Sequence, residues 1–278
     1  MSTSPGDGPV AGADAASAAV RLAGVSVVRD GVALLDRCDL EVGPGQRWAV
    51  LGPNGSGKTT LLRVAGAALW PTSGTVEVLG HRLGTVDLRA LRERIGLVSA
   101  AVSRAIRPTL AARDVVLTGR HAALETWWHE YGGDDVAEAN ELLAQAGMPA
   151  TVGDRPFGLL SEGERQQVLI ARARMGRSDL LLFDEPAAGL DLGARERLVA
   201  HLDTLAADPS VPPLVLVTHH VEELPPGITH VALVRSGRIV AAGEAAEVLA
   251  GGPMSACFGL DVEIGRSGGR WWARAGGR

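Results

Sequence analysis

Short runs of consecutive apolar residues recur along the chain, separated by longer segments in which apolar residues have helical spacing. The runs cover residues 48–51, 95–98, 180–183 and 214–218. Uninterrupted apolar runs of this length are typical of strands that are buried on both faces of a parallel sheet. In one intervening segment Leu198, Leu202 and Leu205 share a helix face, and Pro209 follows where that helix should end. The pattern predicts an α/β fold with a parallel sheet.

The segments on either side of the first run have a different pattern, which predicts an antiparallel β subdomain. Residues 20–28 and 34–42 have the composition of strands, and the pair Asp30-Gly31 between them is typical of a turn. Residues 75–79 form a further predicted strand. We expect these strands to lie beside the parallel sheet.

A helical insertion is predicted between residues 101 and 156, where the apolar spacing is helical throughout. We predict that one helix there begins at Asp135, because Glu138 follows at the spacing of a capping box. The same helix should stop at Gly147, which Pro149 follows closely.

These patterns divide the chain into an N-terminal tail, a core, an inserted helical subdomain and a C-terminal extension. The first residues are rich in Ser, Gly, Pro, Ala and Asp and lack periodicity, which is typical of disorder. Near the other end, residues 261–264 and 270–275 predict a hairpin. The predicted units are a tail at 1–17, a core with its antiparallel subdomain at 18–100 and 157–253, a helical subdomain at 101–156 and an extension at 254–278.

Charge, cysteine content and the length of the apolar runs limit the functions that this chain could have. The net charge of −5 argues against general nucleic-acid binding. Cys38 and Cys257 are far apart in the sequence and lack the spacing of metal ligands, which suits a reducing cytosol. Since no apolar run approaches the roughly 18 residues of a membrane span, we expect any membrane role to require a partner.

The loop after the first apolar run matches the phosphate-binding pattern GxxxxGK[ST]. Its residues are Gly52, Pro53, Asn54, Gly55, Ser56, Gly57, Lys58 and Thr59, followed by Thr60 in the predicted helix. Glycines let successive backbone N–H groups point into one concavity, and the helix adds its positive N-terminus. Lys58 can reach the β and γ phosphates, and the Thr59 hydroxyl can bind Mg²⁺. The segment therefore predicts an ATP site.

The lysine content of the chain argues against an accidental match to the phosphate-binding pattern. Lys58 is the only lysine in 278 residues, and all other basic side chains except histidine are arginine. A chain with this bias retains lysine where a planar guanidinium cannot replace a compact ammonium group.

Two adjacent carboxylates, Asp184 and Glu185, end the apolar run 180–183. Alternation along a strand sends the two side chains in different directions, so we expect different roles. Asp184 would hold the Mg²⁺ shell, and Glu185 would orient or deprotonate an attacking water molecule. The alternative is a solvated acidic strand end, which the phosphate-binding loop disfavours.

The segment LSEGE at residues 160–164 precedes a predicted helix at 165–174. Ser161 and Glu164 have the spacing of a capping box, which is a sufficient structural role in itself. A helix N-terminus with a hydroxyl group and the amide of Gly163 is also an anion site. The two roles are compatible, so this segment could bind a γ-phosphate offered from outside the chain.

The ordered set of motifs resembles the ATP-binding-cassette (ABC) ATPases over about residues 18–250. The corresponding motifs are the Walker A loop, the signature in the form LSEGE rather than LSGGQ, Walker B at 180–185, the D-loop at 188–191, and Thr218-His219 with the switch histidine. The resemblance implies a P-loop ATPase core and a head-to-tail homodimer. It also implies that Ser161 and Gly163 contact γ-phosphate in trans, and that His219 contacts it in cis as a catalytic residue.

The sequence departs from the family pattern at three places. Arg29 stands where the family has an aromatic residue that stacks on adenine, and a guanidinium could stack there. Glu162 replaces a signature glycine and adds a carboxylate near a phosphate unless it turns outward. Ser99-Ala100 stands where the family has its Q-loop glutamine, which helps to connect nucleotide state to the membrane partner.

Residues 114–120 resemble the corresponding stretch of importers of iron chelates, haem and cobalamin. Trp127, Trp128 and Tyr131 lie in the helical insertion, the part that meets membrane subunits in this family. The alternative is that these aromatic residues form a small helical core.

The sequence thus predicts the nucleotide-binding subunit of an ABC transporter, which hydrolyses ATP at the cytoplasmic face of a separate transmembrane permease, with import favoured over export. The alternative is a soluble, non-transport ABC ATPase that remodels nucleic acid, ribosomes or a protein complex. Long coiled-coil arms or a second cassette would favour that alternative, and the sequence has neither. A P-loop kinase or GTPase would not require the LSEGE segment.

Overall fold

The computed structural model describes residues 18–127, 129–176 and 178–276. The predicted tail at 1–17 and Trp128 therefore lie outside the described residues. None of the helices in the described ranges is both long and apolar enough to cross a membrane.

The described residues contain twelve strands. In chain order they are β1 Val20–Arg29, β2 Val32–Val42, β3 Arg47–Leu51, β4 Ser73–Val78, β5 His81–Arg82, β6 Ile95–Val98, β7 Leu180–Asp184, β8 Leu214–Val217, β9 His230–Arg235, β10 Arg238–Glu244, β11 Val262–Ser267 and β12 Arg270–Ala275.

The helices are concentrated after β6. They are α1 Lys58–Ala65, α2 Leu88–Glu93, α3 Ala100–Ala105, α4 Ala112–Leu117, α5 Gly133–Gln145, α6 Glu162–Arg174, α7 Leu192–Ala207, α8 Ala245–Val248 and α9 Gly251–Phe258. Short 3-10 turns occur at Thr118–His121, Ala150–Val152, Phe157–Leu159 and Val221–Glu223.

The central sheet has the strand order β10-β9-β3-β8-β7-β6. The four predicted apolar runs are β3, β6, β7 and β8, which pair in parallel through β3/β8, β8/β7 and β7/β6. The predicted parallel sheet is therefore confirmed. Sequence reasoning missed β9, which pairs in parallel with β3, and β10, which returns antiparallel along β9. Since parallel strands end at the same edge, the loops after β3, β7 and β8 meet there.

A second sheet, of order β2-β1-β4-β5, is antiparallel and matches the predicted subdomain. Asp30 and Gly31 join β1 to β2 with φ angles of 51° and 77°. Two consecutive positive φ angles match a type I′ turn, whose twist suits a hairpin. The inner face of this sheet, including Val25, Val27 and Leu35, packs in one core cluster with α1.

Helices and 3-10 turns make up the regular structure that is described between residues 101 and 156. The predicted start of one helix was wrong: α5 begins at Gly133, and Asp135 lies in its first turn. The Asp135 carboxylate accepts a hydrogen bond of 2.8 Å from the amide of Gly132. Glu138 does not cap the helix but forms an ion pair with Arg120.

The C-terminal residues form the predicted hairpin, in which β11 and β12 are antiparallel. The preceding helix α9 spans our predicted boundary after residue 253. Met254 and Cys257 of this helix are buried in the same apolar cluster as Val231 and Leu233 of the central sheet. The hairpin is thus attached to the core through a helix that is itself part of the core.

Candidate nucleotide site

The phosphate-binding loop connects β3 to α1, and its glycines are required by close backbone contacts. A Cβ atom on Gly52 would lie 2.0 Å from the carbonyl oxygen of Val234, and one on Gly57 would lie 2.7 Å from that of Leu34. Both residues also have positive φ angles, of 155° and 107°. No side chain fits at either position, so the loop can take this tight path only with glycine.

Lys58 lies beneath this loop with only 4% of its surface exposed. Its Nζ atom donates hydrogen bonds of 3.0 Å to the carbonyl oxygens of Gly52 and Pro53. The same atom lies 3.7 Å from Oε1 of Glu185. Burial lowers the pKa of Lys58, and the Glu185 carboxylate partly opposes that shift. The ammonium group is thus fixed between the loop and the carboxylate.

Thr59 and Asp184 bring two oxygen ligands together at the start of α1 and the end of β7. The Thr59 hydroxyl donates a hydrogen bond of 3.0 Å to Oδ1 of Asp184. Burial raises the pKa of the Asp184 carboxyl, an effect that the Thr59 hydrogen bond opposes. A hydroxyl and a partly buried carboxylate are hard oxygen ligands of the kind that Mg²⁺ prefers, and a cation would offset the cost of partly burying Asp184. The donor set therefore fits Mg²⁺.

Glu185 points away from Asp184, toward Lys58 and the loop that follows β8. Its Oε1 atom lies 3.4 Å from Nδ1 of His219. The backbone of Glu185 has a φ angle of 48°, in the left-handed region that is unfavourable for a residue with a side chain. Backbone strain of this kind commonly occurs at functional sites, where it fixes the direction of one side chain. Lys58, Glu185 and His219 thus form one chain of contacts.

A cavity of about 410 Å³ opens above the loop. It is lined by Val32, Ala33, Leu34, Asn54, Gly55, Ser56, Gly57, Lys58, Thr59, Thr60, Glu185, Ser236 and Gly237. Arg29, our candidate for stacking on adenine, is not among them and lies exposed at the end of β1. Val32, which is 59% exposed at the start of β2, lies at the mouth of this cavity instead.

The signature segment lies elsewhere on the chain. Ser161 caps α6 by accepting a hydrogen bond of 3.3 Å from the amide of Glu164, and the Glu164 carboxylate accepts one of 2.7 Å from the amide of Ser161. The predicted capping box is therefore present. Ser161 and Gly163 line a separate cavity of about 370 Å³ between α5, α6 and α7. Neither residue lines the cavity above the phosphate-binding loop.

Glu162, the unusual signature residue, is turned along the flank of α6. Its carboxylate lies 3.4 Å from Nη1 of Arg165 and accepts a hydrogen bond of 3.4 Å from Nε2 of Gln166. These contacts draw its charge toward the helix side, away from the capped N-terminus.

Comparisons with known proteins agree with this arrangement. The model of the ABC transporter family matches residues 35–188. This chain belongs to the ABC transporter family. The ABC transporter ATP-binding protein YlmA of Bacillus subtilis is 36% identical over 247 residues, which cover 88% of this chain and 92% of YlmA. The resemblance inferred from the motifs is confirmed, and the chain is the ATP-binding subunit of an ABC transporter.

Two further matches add detail. The hemin import ATP-binding protein HmuV of Streptomyces coelicolor is 36% identical over 247 residues, covering 87% of this chain and 83% of HmuV. A solved ATP-binding cassette, dimeric in a post-hydrolysis state and bound to ADP and phosphate, superimposes with a TM-score of 0.70 at 24% identity. That match covers 81% of this chain and 98% of the cassette, and it confirms the fold class.

The ABC family's Q-loop position is occupied here by the start of a helix. Ser99 caps α3, accepting a hydrogen bond of 3.2 Å from the amide of Val102, and Ala100 is the first helical residue. Ala100 lines a cavity of about 700 Å³ that also reaches Thr59, Asp184 and Glu185. The short Ala100 side chain thus faces the space beside the predicted metal ligands.

Two residues of the candidate nucleotide site that we did not predict come from the turn between β9 and β10. Ser236 and Gly237 line the cavity above the phosphate-binding loop, and the amide of Gly237 donates a hydrogen bond of 2.8 Å to the carbonyl of Ser56. The Ser-Gly pair between two apolar stretches is a recognisable turn signal. Its position next to the loop could not be read from the sequence, because it depends on β9 pairing with β3.

The aromatic residues of the helical insertion differ in their surroundings. Tyr131 packs against the main apolar cluster, as the small-core alternative requires. Trp127 is 65% exposed, and Leu124 is 41% exposed nearby in sequence. Leu124 also lines a surface cavity of about 680 Å³ between α2 and residues 121–125. The insertion therefore exposes two large apolar side chains in addition to its core.

Proposed function

We propose that this ATP-binding subunit hydrolyses ATP as a head-to-tail homodimer and drives import through a separate transmembrane permease, at the cytoplasmic face of the membrane. The observation that carries the proposal is the separation of the two phosphate-binding elements. Lys58 and Glu185 line one cavity, while Ser161 and Gly163 line another. A single chain therefore offers half of a closed ATP site, and a second copy can supply the missing half.

The side chains of the first half support the proposed chemistry. Lys58 binds the β and γ phosphates, Thr59 and Asp184 hold Mg²⁺, and Glu185 accepts a proton from the attacking water. His219, which lies 3.4 Å from the Glu185 oxygen that Lys58 also approaches, would contact the γ-phosphate. Mg²⁺ supplies charge neutralisation on the phosphates. The proposal requires no acid or base from the signature segment, which binds the phosphate through its hydroxyl and amide groups.

Transport is supported by the relative HmuV, whose name describes hemin import, and by the exposed apolar residues of the helical insertion. Trp127 and Leu124 lie in the part of the chain where ABC subunits meet their permease. An exposed tryptophan and leucine on a charged chain are well suited to an apolar partner surface. We propose that the permease covers this surface, and no direct contact with nucleic acid is required.

A soluble ABC ATPase that remodels nucleic acid, ribosomes or a protein complex is the second candidate. Ala100 favours it, because the family's glutamine at this position connects nucleotide state to the membrane partner. The cavity beside Ala100 leaves room for a water molecule at the missing ligand position.

The experiment is purification of the tagged full-length chain from detergent-solubilised membranes and from the soluble fraction, followed by phosphate-release assays. We expect co-purification with a polytopic membrane protein and ATP hydrolysis in that complex. Recovery of an active enzyme with ribosomes or nucleic acid, and without a membrane protein, would favour the second candidate. If neither fraction hydrolyses ATP, the enzymatic part of the proposal is contradicted.

A further inference from the structure

The C-terminal hairpin packs against the segment that carries the switch histidine. β11 is joined to α9 through the amide of Val262, which donates a hydrogen bond of 2.9 Å to the hydroxyl of Ser255. β12 lies along the 3-10 turn Val221–Glu223, which follows His219. A cavity of about 240 Å³ lies beside this contact, and its walls include His219, Phe258 and Ala273. The hairpin is therefore in a position to act on the switch segment.

One side chain of the hairpin joins two elements that flank the nucleotide site. Nη1 of Arg270 forms an ion pair of 2.9 Å with Oε2 of Glu196, in the second turn of α7. Nη2 of Arg270 donates a hydrogen bond to the carbonyl oxygen of Glu222. The Arg270 side chain is 28% exposed, and its contact holds the pKa of the Glu196 carboxyl below its usual range. A guanidinium presents donors in a fixed planar fork, so it can fix the separation of two acceptors.

A second contact strengthens the attachment to the switch segment. The amide of Ala273 on β12 donates a hydrogen bond of 3.3 Å to Oε1 of Glu222. Glu222 is thus held through its backbone by Arg270 and through its side chain by the strand. Both contacts reach the turn from outside, from a part of the chain that begins more than 30 residues later.

The switch segment has internal hydrogen bonds, but these determine its shape rather than its position. The hydroxyl of Thr218 bonds to the Glu223 carboxylate and accepts a hydrogen bond of 3.1 Å from the amide of His220. The buried Nδ1 atom of His219 has no hydrogen-bond partner among the described residues, and Glu185 lies 3.4 Å away. Within the described part of the chain no hydrogen bond therefore holds the ring, whose centroid lies 4.1 Å from that of the His220 ring. The contacts of Arg270 tie the segment that carries it to α7.

We propose that Arg270 is a positioning residue for hydrolysis, which ties α7 to the switch segment and so holds His219 in place beside Glu185. The inference rests on the proposed ATPase function and adds the C-terminal hairpin to its machinery. α7 follows directly from the D-loop at residues 188–191, so the same bridge also links that loop to the switch histidine.

The test compares Arg270→Ala with Arg266→Ala in the full-length protein. Arg266 is the matched control, because it lies on the same hairpin, bonds to the carbonyl of Gly269 and stacks over Trp271 without reaching α7 or the switch segment. We expect Arg270→Ala to lower kcat for ATP about tenfold with KM nearly unchanged, because misplacement of a reacting group affects turnover more than binding. Arg266→Ala should match the wild type. Equal kcat values in all three proteins, or an equal fall in both variants, would overturn the proposal.

Three further measurements distinguish failure of the bridge from failure of the proposed function. Glu196→Gln removes the charge of one acceptor at an exposed position, and we expect about a threefold fall in kcat if the bridge operates. Arg270→Lys should restore part of the activity, since a lysine can satisfy one acceptor but not both. Hydrogen exchange at residues 219–223 without nucleotide should be faster in Arg270→Ala than in Arg266→Ala. If the wild type does not hydrolyse ATP, the proposed function is wrong. If hydrogen exchange at residues 219–223 is the same in Arg270→Ala and Arg266→Ala, the bridge is refuted whether or not ATP is hydrolysed.

Discussion

The phosphate-binding loop and the signature segment are both helix N-termini, yet their polar groups are satisfied in opposite ways. At the loop and the adjoining end of β7, burial lowers the pKa of Lys58 and raises that of Asp184, so the charged form of each group is destabilised. In the signature, hydrogen bonds from Ser161 lower the pKa of Glu164, and the capping box satisfies the helix end. A ligand of opposite charge would stabilise the charges of Lys58 and Asp184. The signature segment keeps its shape without a ligand, because the capping box already bonds its helix end. This difference fits the proposal that the loop region carries out the reaction and the signature segment completes the site.

Glu185→Gln should have the largest effect, because it removes the proposed base from the reactive region and leaves the shape unchanged. We expect MgATP to bind while kcat falls by about 10²–10⁴, the usual contribution of a general base. The uncleaved ATP should trap a dimer, which light scattering after size exclusion can measure. A strict monomer with bound ATP would contradict the division of the site between two chains.

Lys58→Arg tests the other side of the reactive region. The Nζ atom is buried against two carbonyl oxygens, and a planar guanidinium has a different shape and donor geometry. We expect ATP affinity to fall about a hundredfold by calorimetry, equivalent to roughly 2.7 kcal/mol. Affinity equal to the wild type would remove the argument that the solitary lysine is retained for its shape.

Mixing two inactive variants tests whether the two regions come from different chains. Lys58→Arg disables the loop, and Ser161→Arg places a bulky charge at the signature. In a head-to-tail heterodimer, one site combines the intact loop of one chain with the intact signature of the other. We expect each variant alone to be inactive and the equimolar mixture to regain about a quarter of wild-type hydrolysis, since half of the dimers have one intact site. A mixture as inactive as its components would place both regions in one chain's site.

Ala100→Gln restores the family side chain beside the reactive region. The cavity next to Ala100 reaches Thr59 and Asp184, so a glutamine oxygen could join the Mg²⁺ or water shell. We expect steady-state ATP hydrolysis to rise about tenfold, which corresponds to roughly 1.4 kcal/mol of transition-state stabilisation. If hydrolysis is unchanged or slower, the loop is adapted to alanine, and Ser99 becomes the candidate for the missing role.

The smallest effect concerns the pH dependence of stability on the signature side. His201 of α7 donates a hydrogen bond from Nδ1 to the side chain of Gln167 on α6, and burial lowers its pKa to about 4. The unfolded state therefore binds more protons between about pH 6.5 and pH 4, and stability falls as the pH drops through this window. From pH 7.5 to 5.5 His201 should cost about 1 kcal/mol, or roughly 3 °C in melting temperature. His201→Gln should lose that much less in calorimetric scans, and an identical pH dependence would contradict the shift.

The sequence alone determined those features that depend on residues adjacent in the chain. Glycines and a lysine between an apolar run and a helix specify a phosphate-binding turn, because the backbone path and the ligand both depend on residues adjacent in the chain. The same holds for the capping box at Ser161 and for the type I′ turn at Asp30-Gly31. The apolar runs identified the parallel strands, since burial on both faces leaves no alternation.

Contacts between distant segments were decided by the tertiary structure. The alternating burial of β10 gives a weaker strand signal than an apolar run, and its turn reaches the nucleotide cavity only because β9 pairs with β3. Asp135 and Glu138 fit a capping box in sequence, but Arg120 engages Glu138, and the helix starts at Gly133. Arg29 does not line the cavity above the loop, whereas Val32, on the other side of the hairpin turn, does. Likewise, nothing local relates Arg270 to Glu222, because a long-range contact depends on how whole elements pack rather than on neighbouring residues.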